Sequence, residues 1–301
     1  HERWSWLMDA DEFEYLRADT VTHAVELLEE YPDSEVLAGG HTLLPNMEVG
    51  LADPETVVDI GGIDSIQGIE RDGDVMHIGS VTTYSEIVDT EELWERATVL
   101  TEAIREIGDT QVRNRATIGG NLVRPEPTSD LSAAAIASDA TLVATSRHGE
   151  RRISADDFFL PMRATALRED ELLTRIEIPL VSGAAGGAYS KTQSPSARYT
   201  LLGVAARVSV DTGVVSTVRV AANGVTNHGI RLGGVEDALE GKRLDTETIA
   251  AAAAQAAAEI DESRMIDDSQ ASATFRRQLL EVYTQQALER AAERTGLTVP
   301  G

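Results

Sequence analysis

The sequence contains no cysteine. It therefore cannot hold an iron–sulfur cluster through thiolates, and no disulfide can staple it, so any redox centre it carries must be an organic cofactor. Lysine is nearly missing: Lys191 and Lys242 are the only two, and every other basic side chain apart from histidine is arginine. No run of 18 or more apolar residues occurs, and His1 to Glu14 mixes aromatic and acidic residues instead of placing an apolar core behind a basic stretch. Neither a membrane span nor a secretory leader is indicated, and the expected location is the cytoplasm. Several chemical signatures are absent too. There is no G-x-G-x-x-G after a strand, no G-x-x-x-x-G-K-[ST], no G-x-S-x-G elbow and no H-E-x-x-H, and the six histidines show no metal-ligand spacing. A Rossmann site, a P-loop, a serine hydrolase and a metal centre are accordingly not expected.

What is abundant is negative charge. Asp and Glu total 51 against 26 Lys and Arg, a formal net charge of −25, spread along the chain. That charge disfavours nucleic acid and anionic membranes as partners. With so little lysine it resembles a salt-adapted surface, in which carboxylates keep the protein hydrated while salt screens their repulsion. At 301 residues, 42% of them hydrophobic, the chain can build more than one core.

Three stretches follow from periodicity. In the first, Thr20 is placed to cap a helix with Ala24, Val25, Leu27, Leu28 and Tyr31 at helical spacing. A strand over 35–38 then runs through Gly39-Gly40 into a helix from about 43 to 49, followed by a strand over 56–60; the alternation predicts a small parallel sheet. The middle stretch, 61–180, reads as α+β, with antiparallel strands, a long helix over 91–107, an irregular segment over 109–129 and an alanine-rich helix. Pro179 and the small residues 182–188 mark a boundary. The last stretch, 184–301, has strands near 201–210 and 214–222, a helix near 246–260, and a long helix over 269–294 with Phe275, Leu279, Val282 and Leu288 near one face.

Two glycine turns carry chemical information. In Val36-Leu37-Ala38-Gly39-Gly40-His41-Thr42, paired glycines at a strand-to-helix junction allow close backbone approach, and the helix start offers free N–H groups to an anion. In Thr117-Ile118-Gly119-Gly120-Asn121, a second glycine pair is flanked by a hydroxyl and an amide able to bond phosphate oxygens. Either turn alone is more often plain structure; two together could grip both halves of a pyrophosphate.

The run LAGGHTLLP, the later QVRNRATIGGN and the following Pro127-Thr128-Ser129-Asp130 resemble the flavoprotein subunit of the xanthine dehydrogenase and aerobic carbon monoxide dehydrogenase family of molybdenum hydroxylases. The likeness extends over nearly the whole chain. It includes Val57-Val58-Asp59-Ile60, Ile78-Gly79-Ser80-Val81-Thr82-Thr83, the strand from Glu171 to Ile176 and the step Tyr189-Ser190-Lys191. It implies a PCMH-type, vanillyl-alcohol-oxidase-like α+β fold: a small FAD-binding subdomain over 1–60, a larger one over 61–180, and a C-terminal α+β domain over 184–301 with an antiparallel sheet and helices.

The resemblance also implies roles. Val36 to Thr42 match the family's first FAD loop, and Thr117 to Asn121 the second. Asp130 matches an acidic residue that contacts the cofactor, although as a helix N-terminal charge it needs no ligand to be explained. Ile107 and Leu173, or its neighbour Leu172, match apolar positions on the cofactor rings, where isolated residues of this kind are ordinarily core. Lys191 matches a lysine that reaches the flavin; its survival where arginine has otherwise replaced lysine favours a task for a compact positive charge, the stabilisation of negative charge on reduced flavin. Tyr199 matches a tyrosine covering the flavin face, or is a strand aromatic. His41 replaces a frequent glutamine. Leu122-Val123-Arg124-Pro125-Glu126 departs from the small residues usual in the family. FAD is expected to be noncovalent, since neither cysteine nor a suitable histidine is available for attachment. The implied activity is electron relay from a [2Fe-2S] small subunit, fed by a large molybdenum-cofactor subunit, to an external acceptor, in a dimer of heterotrimers. The competing reading is a self-contained FAD-dependent oxidase or dehydrogenase of the same superfamily.

Overall fold

In extended conformation, the Thr20 hydroxyl accepts from the backbone N–H of His23 and caps helix Val21–Glu30, which buries Ala24, Val25, Leu27 and Leu28. These coordinates are a computed structural model, and the structure describes residues 13–194, 199–258 and 260–296. The helix packs near a three-stranded sheet in which Thr56–Asp59 is central, paired parallel with Glu14–Arg17 on one side and Glu35–Leu37 on the other. The parallel sheet agrees with the expectation. Its strand Glu14–Arg17 was not anticipated, because its exposure pattern leaves only Leu16 half-buried and no apolar alternation marks it.

The second sheet has five antiparallel strands in the order Ile69–Asp72, Val75–Gly79, Leu172–Pro179, Thr141–Ser146, Gly149–Ser154. The central strand alternates from Ile176 to Ile178, and a register shift between Leu173 and Arg175 lets Leu173 join them in the core of this unit, whereas Leu172 packs with Ala24, Leu28 and Ile60 of the first. One strand thus ties the two units together.

Two helical expectations need correction. The helix over 91–107 is broken at Ala97 into Glu91–Arg96 and Thr98–Arg105. Thr98 and Thr101 are the reason we assign: their hydroxyls donate to the carbonyls of Trp94 and Thr98, in competition with the regular ladder. The segment over 109–129 is not irregular throughout, since it contains the short helices Thr110–Arg113 and Ile118–Leu122, the first capped by Asp109 and the second by Thr117.

The third sheet, in the order Ala185–Gln193, Thr200–Asp211, Val214–Asn223, Ile230–Arg231, is antiparallel throughout. Helix Ala273–Glu293 lies against it and buries Leu280, Thr284, Ala287, Leu288 and Ala291. Phe275 and Val282, expected near the apolar face, are instead 47% and 49% exposed. The helix expected near 246–260 also stops early, at Ala253. Tighter turns follow, with Ala257 and Ile260 entering the core and their carbonyls accepting from Arg277. Burial overrides alanine's helix propensity here. Helix Asp130–Ala137, buried along its length, packs on the third sheet and against helix Thr98–Arg105, in the same core that the second sheet's Ile78, Leu142 and Ile176 enter.

Candidate functional site

The strand Glu35–Leu37 ends at Ala38, and the chain turns through Gly39 and Gly40 into helix Leu43–Glu48. Gly40 sits at φ +79°, a conformation that a β-carbon would strain. Among the described residues, the N–H groups of Gly39, Gly40, His41, Thr42 and Leu43 donate to no protein acceptor, and Thr42 makes no side-chain cap. Gly39 has a second task. A β-carbon there would stand 2.1 Å from the carbonyl oxygen of Arg115, so its absence lets the two glycine turns meet.

In the second turn, the Thr117 hydroxyl accepts from the N–H of Gly120 at 3.3 Å and caps the short helix. Gly119 packs on Ser80, where a β-carbon would lie 2.6 Å from its carbonyl oxygen. The Asn121 side-chain oxygen accepts from the Ser129 hydroxyl at 2.5 Å, which fastens this turn to the start of helix Asp130–Ala137. The anticipated hydroxyl and amide are thus partly engaged within the protein.

At that helix start, Asp130 and Lys191 form a buried ion pair. Lys191 Nζ lies 2.7 Å from Asp130 Oδ2 and also donates to the carbonyl oxygen of Glu106 at 2.8 Å. The ammonium is paired, and both side chains are at most 7% exposed.

These pieces line one cleft of about 880 Å³. Val36, Ala38, Gly39, Gly40, His41 and Thr42 line it from the first unit; Thr117, Gly119, Gly120, Asn121, Asp130, Ile107, Leu172 and Leu173 from the second; Lys191 and Tyr199 from the third. Tyr199 is 73% exposed. Two candidates do not line it. Leu37 alternates away from Val36 and Ala38, and Ile118 is fully buried in the core of the second unit.

Other residues of the wall escaped the sequence reading. Ser34 and Ser80 each place a buried hydroxyl without a protein partner among the cleft residues, a sign of a polar ligand or water. Arg124 reaches across to an ion pair with Glu35, which joins the second unit to the first, whereas Glu126 pairs with Arg163 at 3.0 Å within the second unit. Glu171 accepts from Arg151 at 2.6 and 2.7 Å and from the N–H of Arg168 at 2.8 Å. Those bonds, the Arg151 guanidinium foremost, hold its carboxyl below the usual range against the opposing effect of burial. Tyr84 also lines the cleft, and burial and then the Asp130 charge push its phenol up. Of the carboxylates lining the cleft, Glu35, Glu126, Asp130 and Glu171 are ion-paired, which reduces their repulsion of an anion, while Glu106 and Glu169 make no salt bridge among the described residues.

The cleft suits a long, partly apolar anion. Its size falls at the upper end for cofactor sites, its free N–H groups and orphan hydroxyls offer phosphate contacts, and its leucines offer ring contacts. FAD fits this donor set. A cofactor cleft at the meeting of a small parallel sheet, a five-stranded antiparallel sheet and a C-terminal antiparallel sheet defines an α+β flavoprotein of the PCMH type.

The comparisons with known proteins name the family. Residues 11–181 match the FAD binding domain in molybdopterin dehydrogenase, and residues 187–291 match the CO dehydrogenase flavoprotein C-terminal domain. The carbon monoxide dehydrogenase medium chain of Hydrogenophaga pseudoflava is 35% identical over 80% of this chain and 84% of its own length. The glyceraldehyde dehydrogenase medium chain of Sulfolobus acidocaldarius is 29% identical over 93% and 99%. A solved carbon monoxide dehydrogenase from Hydrogenophaga pseudoflava, a form lacking the Mo-pyranopterin moiety of the cofactor, superposes with a TM-score of 0.90 at 33% identity, covering 95% of this chain and 99% of its counterpart. The chain belongs to the family of FAD-binding flavoprotein subunits of molybdopterin dehydrogenases.

Proposed function

We propose that the chain is the electron-relaying subunit of a molybdenum hydroxylase, holding FAD noncovalently in the 880 Å³ cleft. The observation that carries the proposal is the convergence on one cleft of a turn with five unpartnered N–H groups, a second glycine turn docked against it, and the buried Asp130–Lys191 pair. The N–H groups of residues 39–43 would hold the pyrophosphate, with Gly120 and Asn121 of the second turn beside it. Ile107, Leu172, Leu173 and Tyr199 would pack on the ring systems, and Lys191 would donate to the flavin. FAD, when bound, accepts and releases electrons singly or in pairs, and the protein's contribution is to position it and tune its potential. The Lys191 ammonium has one N–H left beyond its two protein partners, and the exposed Tyr199 would cover the cofactor.

The partners would be a [2Fe-2S] small subunit and a molybdenum-cofactor large subunit, in a dimer of heterotrimers. Support comes from the relatives' names as medium chains of dehydrogenases, and from a chain without cysteine and without a metal-ligand cluster among its described residues. Among those residues no helix is long and apolar enough to cross a membrane. The acidic, lysine-poor composition supports a salt-adapted cytoplasmic setting. Acid precipitation tests the cofactor assignment. FAD should appear in the supernatant at one per chain, whereas flavin retained in the pellet, or FMN in place of FAD, would contradict it.

A further inference from the structure

Tyr189 stands two residues before Lys191 on strand Ala185–Gln193 and is 2% exposed. Its hydroxyl donates to Asp130 Oδ1 at 2.5 Å, while Lys191 donates to Oδ2 at 2.7 Å, so the carboxylate is held from both sides by donors of one strand. The Asn223 side-chain oxygen lies 3.0 Å from the same phenol, Asn223 is fully buried, and its Nδ2 has no partner.

A phenol has a single proton. Given to Asp130, it leaves the tyrosine oxygen in need of a donor. Exchanging oxygen and nitrogen of the Asn223 amide, which have the same shape, supplies that donor and satisfies the orphan Nδ2 at once. The chain of donors then runs in one direction, Asn223 to Tyr189 to Asp130, and each bond polarises the next. Burial first, and then the negative charge of Asp130, push the Tyr189 phenol well above its ordinary range, so it stays protonated and remains a donor.

We propose that Tyr189, oriented by Asn223, is a positioning residue that draws charge from Asp130 and so keeps the Asp130–Lys191 pair net-attractive to negative charge in the cofactor cleft. Without the phenolic donor, Asp130 would carry more of its charge unshielded and cancel more of the Lys191 field. The same donor also holds the carboxylate in the position that fixes the lysine, leaving the third ammonium proton available. No motif pointed to this arrangement, because Asp130, Tyr189 and Asn223 come from three separate segments that meet only where helix Asp130–Ala137 packs against the third sheet.

The inference rests on FAD occupying this cleft, and the two fail differently: wild-type protein without FAD would sink the functional reading, whereas the following test compares proteins that retain it. In a spectroelectrochemical titration of the flavin-loaded complex at fixed pH and salt, Tyr189→Phe should keep its FAD content within about twofold. At fixed poise its ratio of oxidised to reduced flavin should rise about tenfold, a fall of about 30 mV for the two-electron couple. Asn223→Ala leaves the phenol in place but frees it, and should shift the ratio the same way by less. Should Tyr189→Phe fail to fold or to hold FAD, Asn223→Ala carries the decision. A wild-type ratio in whichever variant retains flavin would overturn the proposal, as would an increase in potential.

Discussion

Gly39 and Arg115 approach so closely that a β-carbon on the glycine would stand 2.1 Å from the arginine's carbonyl oxygen. The contact is backbone against backbone, so no side chain can swing away to relieve it. Gly39→Ala should therefore separate the two glycine turns, costing about 1–3 kcal/mol of stability, the usual scale of overpacking. FAD affinity should fall at least about tenfold, because a 1.4 kcal/mol change at the phosphate contacts has that effect. Denaturant unfolding and flavin-fluorescence titration of the same protein check both numbers. Retained affinity would show that the docking of the turns does not matter to the cofactor.

Lys191→Ala leaves the buried Asp130 with the Tyr189 hydroxyl but without a counter-charge. Removing one member of a buried pair is costly, about 3–5 kcal/mol where the remaining charge cannot be relieved. The flavin potential should also fall, by more than in Tyr189→Phe, since a positive charge is lost outright. A potential equal to wild type would return Lys191 to a purely structural role.

Glu171 provides a pH test with a definite sign. Its folded-state pKa is depressed, so its contribution is present above the unfolded-state value and is lost as pH falls through the folded-state value. Glu171→Gln should cost about 1–3 kcal/mol at pH 7, the scale of charged hydrogen bonds. The gap between wild type and variant should shrink once pH drops below the ordinary glutamate value of 4.5. Urea titrations at a series of pH values in molar salt, where the net charge is best screened, measure that gap. A gap that widens on acidification would refute the assignment.

Net charge of −25 gives a salt dependence of known direction. Raising ionic strength from 0.15 to 1 M shortens the Debye length from about 8 to about 3 Å, which screens self-repulsion between exposed carboxylates but hardly touches buried pairs. The unfolding temperature should rise with potassium chloride over that interval. A falling temperature would show that attractive surface pairs, of which Arg147–Glu29 at 3.2 Å is one, outweigh the repulsion.

Much of the fold was legible because it is written locally. Thr20 and the four apolar residues it introduces define the first helix, the alternation of Thr56–Asp59 with helices implies the parallel sheet, and paired glycines mark both turns. What was not legible depends on partners distant in sequence. The pairing of Lys191 with Asp130 spans 61 residues and that of Arg124 with Glu35 spans 89, so neither residue alone announced its role. Ile118 illustrates the converse: a residue within a binding motif can face the core, because a helical turn points successive side chains in different directions. Alanine-rich 246–260 shows propensity yielding to burial.

Size-exclusion chromatography of native extract in molar salt, with flavin absorbance, iron and molybdenum followed across the column, tests the central claim most directly. The account predicts that the flavin of this chain elutes with a cysteine-rich iron–sulfur subunit and a larger molybdenum subunit, at a size well above a single chain. A flavin peak eluting as the lone 301-residue chain, free of both metals and able to oxidise a small substrate unaided, would contradict it.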